Sequence, residues 1–153
     1  MRKLPTLLAL GALSFGAGTA VAATSVATVG SSSSKLGTFL VGTNGHTLYV
    51  FSADKKNKSN CTGECAQNWP ALLTSAKPKA KGSAKASELG TIKRGSSEQV
   101  TYDGHPLYYY VADTVAGDTS GQGTKVDGGL WTVIGPNGSP ITSSGKTKTK
   151  SGY

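Results

Sequence analysis

Two histidines, two cysteines and two tyrosine–aspartate pairs are the side chains of this 153-residue sequence whose types and spacing bear on chemistry. His46 and His105 each follow a turn glycine, at matching places in GHTLYVFSAD (residues 45–54) and GHPLYYYVAD (residues 104–113). Neutral imidazole is a common nitrogen donor to copper, zinc and haem iron, so this pair is a metal or haem candidate if the fold brings the two rings together. Two ligands fall short of the three or four a stable site wants, and the single methionine is Met1. Packing beside a turn is the commoner role for such histidines, and the expectation is no cofactor, with copper or haem as the alternative.

Tyr49 and Asp54, like Tyr108 and Asp113, stand five residues apart, a spacing that sends two strand side chains to opposite faces. The aspartates are therefore expected at strand ends, accepting backbone N–H groups in Asx-type turns. The tyrosines are expected as buried aromatics whose hydroxyls need a partner. The competing reading is an open aromatic face of Tyr49, Phe51, Tyr108 and Tyr110 that stacks a sugar ring or another flat ligand. Cys61 and Cys65 have one residue too many between them for a C-x-x-C redox pair, and a structural disulfide is expected. The loop at residues 113–123 offers oxygen ligands among glycines without the EF-hand spacing, so turn chemistry is expected there rather than calcium. Neither G-x-S-x-G nor H-E-x-x-H occurs, which leaves a hydrolase-like enzyme as the third and least favoured reading and a non-enzyme as the expectation.

The elements that must position these groups come in duplicate. The two ten-residue units agree at six positions and lie 59 residues apart, the signature of an internal repeat. Asn44-Gly45 and Asp103-Gly104 stand between apolar and aromatic runs, and such dipeptides mark tight hairpins whose two turn residues both take positive φ. A third hairpin is expected between residues 130–134 and 139–142 across Pro136-Asn137-Gly138. Short helical turns are expected at residues 65–69, ended by Pro70, and at 84–89. Period two sets His46, Leu48 and Val50 against Thr47, Tyr49 and Phe51, and His105, Leu107 and Tyr109 against Tyr108 and Tyr110. Both faces of each strand are apolar, which suits strands covered on both sides. The expected fold is all-β: two pseudo-equivalent β-hairpin repeats packed as a small sandwich, with short helical turns and one disulfide.

Arg2 and Lys3, the apolar run at 4–15 and Ala20-Val21-Ala22 read as a signal peptide, residues 1–22, cleaved after Ala22. The apolar run is too short and too glycine-broken to span a bilayer, and no cysteine follows the cleavage site to carry a lipid. Export makes the disulfide the natural state of Cys61 and Cys65. Residues 23–35 read as a flexible leader, 36–142 as one duplicated β domain and 143–153 as a basic disordered tail; repeat one spans about 36–75 and repeat two about 88–142. Part of the formal net charge of +8 sits on Lys77, Lys79, Lys81 and Lys85 and on Lys146, Lys148 and Lys150, without interleaved aromatics. Such patches suit anionic envelope polymers or a membrane surface; nucleic acid is not an expected partner.

Tyr49-Val50-Phe51-Ser52-Ala53-Asp54 and Tyr108-Tyr109-Tyr110-Val111-Ala112-Asp113 resemble the motif of a bacterial secreted repeat and lipoprotein family, written Tyr-x4-Asp or Yx(F/W/Y)xxD. C-x-x-x-C followed by Trp69-Pro70, QVTYDGHPLYYY around the second copy, GDTSGQG at 117–123 and Trp131 complete the resemblance, which covers roughly residues 36–138. It implies an extracellular, periplasmic or cell-surface location and no reaction. The resulting expectation is an exported module with a structural or binding role.

Overall fold

The computed structural model describes residues 25–142. The expected signal peptide and basic tail lie outside the described residues. Ten short strands and one five-residue helix follow one another: β1 (Thr28–Ser34), β2 (Gly37–Val41), β3 (Tyr49–Phe51), α1 (Glu64–Asn68), β4 (Leu73–Thr74), β5 (Lys79–Ala80), β6 (Leu89–Arg94), β7 (Ser97–Tyr102), β8 (His105–Pro106), β9 (Lys125–Val126) and β10 (Gly129–Val133). A 3-10 turn at Ala86–Glu88 precedes β6. The fold is all-β, in three small sheets ordered β2-β1-β5, β3-β10-β9 and β4-β7-β6, with β8 added to β7. Both helical turns stand where the sequence suggests them.

Each repeat opens with an antiparallel hairpin, β1–β2 in the first and β6–β7 in the second. The first corrects the reading of 23–35 as a flexible leader. Thr28–Ser34 carries four serines and no alternation, so nothing local marks it as a strand. Its order comes from buried Ala27 and Val29 and from pairing on both sides, with β2 and, in parallel, with β5. Tertiary partners override weak local preference here.

The turn dipeptides act as expected, with one difference in geometry. At Asp103-Gly104 both residues take positive φ, 49° and 79°, and β7 and β8 pair directly across them. At the first copy only Gly45 does, at 81°, while Gly42 N–H donates to His46 O at 2.8 Å and Gly45 N–H to Gly42 O at 3.0 Å. One extra residue in the loop turns an ordinary β-turn into a glycine bulge, so Asn44 needs no left-handed backbone. Gly138 (φ 79°) closes the Pro136-Asn137-Gly138 turn with the same two bonds, and Ile134 bridges Pro140.

The repeats are interleaved rather than side by side. β3 of the first pairs with β10 of the second, Tyr49 opposite Val133 and Phe51 opposite Trp131, and β4 of the first pairs with β7 of the second. Equivalent bonds cross in both directions: Leu40 N–H donates to Ile134 O at 2.9 Å, and Val100 N–H to Leu72 O at 2.8 Å. Period two then divides the interior. Leu48, Val50, Leu107 and Tyr109 enter one hydrophobic cluster; Tyr49, Phe51, Tyr108 and Tyr110 enter the other. The GH-x-LY strands therefore run between two cores, as their two-sided apolar pattern requires.

Candidate functional site

The two tyrosines of the repeated motif meet at the centre of the molecule. Tyr49 N–H donates to Tyr108 O at 2.8 Å and Tyr108 N–H to Tyr49 O at 3.0 Å, a reciprocal antiparallel pair of two fully buried residues. From there the side chains cross. The Tyr49 hydroxyl donates to Asp113 Oδ2 at 2.6 Å, and the Tyr108 hydroxyl to Asp54 Oδ2 at 2.7 Å. Each motif thus supplies a donor to the other motif's acceptor.

Asp54 stands three residues past β3, whereas Asp113 follows a turn seven residues past β8, and the backbone partners of both are more distant than an Asx turn would give. Asp54 Oδ1 accepts Asn60 N–H at 2.6 Å, and Asp113 Oδ1 accepts Ser120 N–H at 2.9 Å. Each carboxylate therefore gathers a whole loop and pins it to the opposite repeat. Both oxygens of Asp113 are engaged in this way, and Asp118 Oδ2 accepts Val115 N–H at 3.0 Å, so the 113–123 loop is held by turn bonds. Burial holds the Asp54 carboxyl above its ordinary value, against the opposing pull of Asn60 N–H, the Tyr108 hydroxyl and the Arg94 charge.

Burial likewise pushes the phenols of Tyr49 and Tyr108 well above the ordinary tyrosine range, and the carboxylate beside each adds to the shift. Both remain donors at any physiological pH. A folded-state pKa raised above the unfolded value contributes stability that is complete below the unfolded pKa and is lost as pH rises beyond it. The domain should therefore unfold in less urea as pH climbs past about 10, where unfolded tyrosines ionise. Urea titrations near that pH and about one unit either side check this; a Tyr49→Phe, Tyr108→Phe variant should show a shallower decline.

Around the crossed pairs the aromatic residues form one stack. Phe51 lies on Trp131 with ring centroids 4.3 Å apart and 10° between planes, Trp131 on Trp69 at 4.0 Å and 2°, and Trp69 on Tyr110 at 4.2 Å and 21°. Its members alternate between repeats. Tyr49 meets the edge of Trp69 at 5.4 Å, and Tyr108 that of Trp131 at 5.0 Å. Gly121 N–H donates to the Tyr49 hydroxyl at 3.2 Å, and a Cβ on Gly121 would stand 2.7 Å from the Trp69 ring, so only glycine allows the loop so close. The idea of an open aromatic platform is corrected by burial: Tyr49 and Tyr108 are fully covered and Phe51 is 3% exposed. Of the four rings Tyr110 alone keeps partial exposure, and it lies against Trp69.

The disulfide joins Cys61 to Cys65 as expected, Cα atoms 5.3 Å apart, and packs into the same aromatic cluster. The histidines do not come together. They precede Tyr49 and Tyr108 by three residues each on antiparallel chains, which sends them in opposite directions, about 20 Å apart at the usual strand rise. His46 Nδ1 instead lies 3.2 Å from Asp113 O, and His105 pairs through its backbone with Tyr102. Among the described residues no three His, Cys, Asp or Glu side chains are grouped as metal ligands.

Arg94 is the participant that sequence reasoning missed. Its guanidinium donates to Ser59 Oγ at 2.6 Å, Gln99 Oε1 at 3.0 Å and Cys61 O at 2.5 Å, and Ser59 Oγ in turn lies 2.7 Å from the Tyr108 hydroxyl. Its one signal is compositional: apart from Arg2 it is the sole arginine in a chain whose other cations are lysines. A planar five-donor fork can satisfy three acceptors at once, which an ammonium on a flexible stem does less well.

Among the described residues no helix is long and apolar enough to cross a membrane. No match to the chain was found among curated proteins or among solved structures. A family of lipoproteins described as a secreted repeat of unknown function matches residues 30–73 and 90–134, more than half of the chain. Each matched stretch contains one opening hairpin, one Tyr-x4-Asp unit and one closing tryptophan. With its two interlocked copies of that unit, the chain belongs to this family of secreted repeats and is an exported protein.

Proposed function

We propose that this protein is a non-catalytic module outside the cytoplasmic membrane that holds anionic polymers of the cell envelope. The observation that carries the reading is a cleft of about 540 Å³ lined by Lys58, Lys93 and Arg94 together with the hydroxyls of Ser59 and Thr62. The loop beside it is a tight turn, Lys55 and Lys58 exchanging backbone bonds at 3.0 and 2.9 Å, and Lys55, Lys56 and Lys58 are all exposed on it. Several cations around one concavity raise the local concentration of a phosphate or carboxylate chain, and the Thr62 hydroxyl can bond its oxygens, that of Ser59 being engaged with Arg94 and Tyr108. The exposed Lys77, Lys79, Lys81 and Lys85 support the reading less, because Lys79 lies on the edge strand β5, where a lysine also discourages strand pairing with other chains.

Co-sedimentation of the mature protein with a polyglycerol-phosphate polymer, and with a neutral glucan as control, tests the proposal. Binding should be selective for the polyphosphate, and should weaken on the order of tenfold between ~50 and ~500 mM salt, as the Debye length shrinks. The Lys58→Ala, Lys93→Ala variant should lose most of it. Equal affinity in that variant, or retention on the neutral glucan, would overturn the reading; loss only on deletion of residues 143–153 would transfer the binding to the tail.

A further inference from the structure

We infer that the aromatic stack is an electron-hole relay: a one-electron oxidant acting at Tyr110 is answered through Trp69 and Trp131, and the hole comes to rest on Tyr49 and Tyr108, whose phenolic protons pass to Asp113 and Asp54.

Tryptophan and tyrosine are, with thiols and thioethers, the side chains most easily oxidised by one electron. No thiol or thioether competes among the described residues, because both cysteines are in the disulfide and the single methionine is Met1, and Tyr102 and Tyr109 belong to the other hydrophobic cluster. Electron exchange between rings falls steeply with the gap between them, so rings in van der Waals contact exchange fastest. Tyr110, Trp69 and Trp131 are in such contact, at centroid spacings of 4.2 and 4.0 Å. The two ends of the stack differ in kind. Phe51, hardest to oxidise, closes one end at 3% exposure, whereas Tyr110 is partly exposed at the other. A hole therefore enters from the Tyr110 side and has no exit past Phe51.

The proton inventory decides where the hole stops. Trp131 Nε1 is buried with no hydrogen-bond acceptor among the described residues, so an oxidised Trp131 keeps its proton and stays a mobile radical cation. Tyr49 and Tyr108 touch the tryptophans edge-on, and each already points its proton at a carboxylate, 2.6 and 2.7 Å away. For the first arm, the oxidant removes one electron from Tyr110, and Trp69, stacked on it at 4.2 Å, refills the ring before the phenol loses its proton, so Tyr110 ends unchanged. Tyr49 then refills Trp69 while its proton moves from Oη to Asp113 Oδ2. The net change is one electron lost from Tyr49, giving a neutral phenoxyl radical, one proton gained by Asp113, and one electron gained by the oxidant. The oxidant belongs to the class of outer-sphere one-electron acceptors, such as oxygen-centred radicals or high-valent metal complexes. Tyr108 and Asp54 repeat the terminal step on Trp131.

Flash photolysis of the mature protein with a ruthenium polypyridyl sensitiser and a sacrificial acceptor supplies such an oxidant. The expected record is a tryptophan radical cation that decays into a tyrosyl signal, with that second step slower in D₂O. The Tyr49→Phe, Tyr108→Phe variant should remove most of the tyrosyl yield, whereas Tyr49→Phe alone leaves Tyr108 to trap the same mobile hole and should lower the yield little. Tyr110→Phe, which leaves both crossed pairs intact, should slow the first step. No tryptophan intermediate, no solvent isotope effect in the wild-type protein, or an unchanged tyrosyl yield in the Tyr49→Phe, Tyr108→Phe variant would each overturn the relay. The wild-type measurements decide the matter even if a variant fails to fold.

Discussion

Trp131→Ala is expected to lower the free energy of unfolding by about 3–5 kcal/mol, the usual range for deleting a fully buried large aromatic. The upper half of that range applies, because the ring is sandwiched between Phe51 and Trp69 and touched edge-on by Tyr108. Each aromatic pair lost adds about 0.5–1.5 kcal/mol beyond buried area. Neighbours cannot simply close the gap, since Phe51 and Trp69 belong to different segments, one fixed in β3 and the other beside the disulfide. A domain of ordinary total stability, about 5–15 kcal/mol, is left marginal by such a loss. Urea unfolding followed by far-ultraviolet circular dichroism measures it. A change under about 1 kcal/mol would mean that the stack contributes little beyond filling space.

The crossed hydroxyl–carboxylate bonds should carry the second largest effect. Tyr49→Phe removes the donor to a carboxylate only 5% exposed and is expected to cost about 1.5–3 kcal/mol, the range for hydrogen bonds to charged groups. Tyr108→Phe should cost less, because Asp54 keeps Asn60 N–H and a nearby Arg94 charge, and Ser59 keeps Arg94. A double-mutant cycle of Tyr49→Phe with Asp113→Asn should return a coupling of about 1–2 kcal/mol, whereas Tyr49→Phe with Asp54→Asn should be closer to additive. Equal coupling in both cycles would show that the bonds do not sort by partner.

Much of this architecture is readable in the residues. The alternation in His46–Phe51 and its copy correctly divides Leu48 and Val50 from Tyr49 and Phe51, because side-chain period depends only on the pleat. Turn dipeptides and the C-x-x-x-C spacing locate hairpins and disulfide for equally local reasons. What local pattern cannot carry is partnership. The sequence shows that a buried tyrosine needs an acceptor, yet nothing near Tyr49 says that the acceptor is Asp113, 64 residues away, rather than its own Asp54. The burial of the aromatic face depends on the same interleaving, which brings Trp131 over Phe51. β1 eludes the pattern because its order is lent by β2 and β5, and Arg94 because its three acceptors come from separate parts of the chain.

The Tyr49–Asp113 and Tyr108–Asp54 bonds, with the reciprocal Tyr49–Tyr108 backbone pair between them, have the form of a self-complementary contact about a two-fold axis: position i of one half meets j of the other, and j meets i. In this chain the two halves are joined by one linker, yet none of these bonds depends on the linker being continuous. Each half therefore meets the other as one subunit of a two-fold dimer meets its partner, within a single chain.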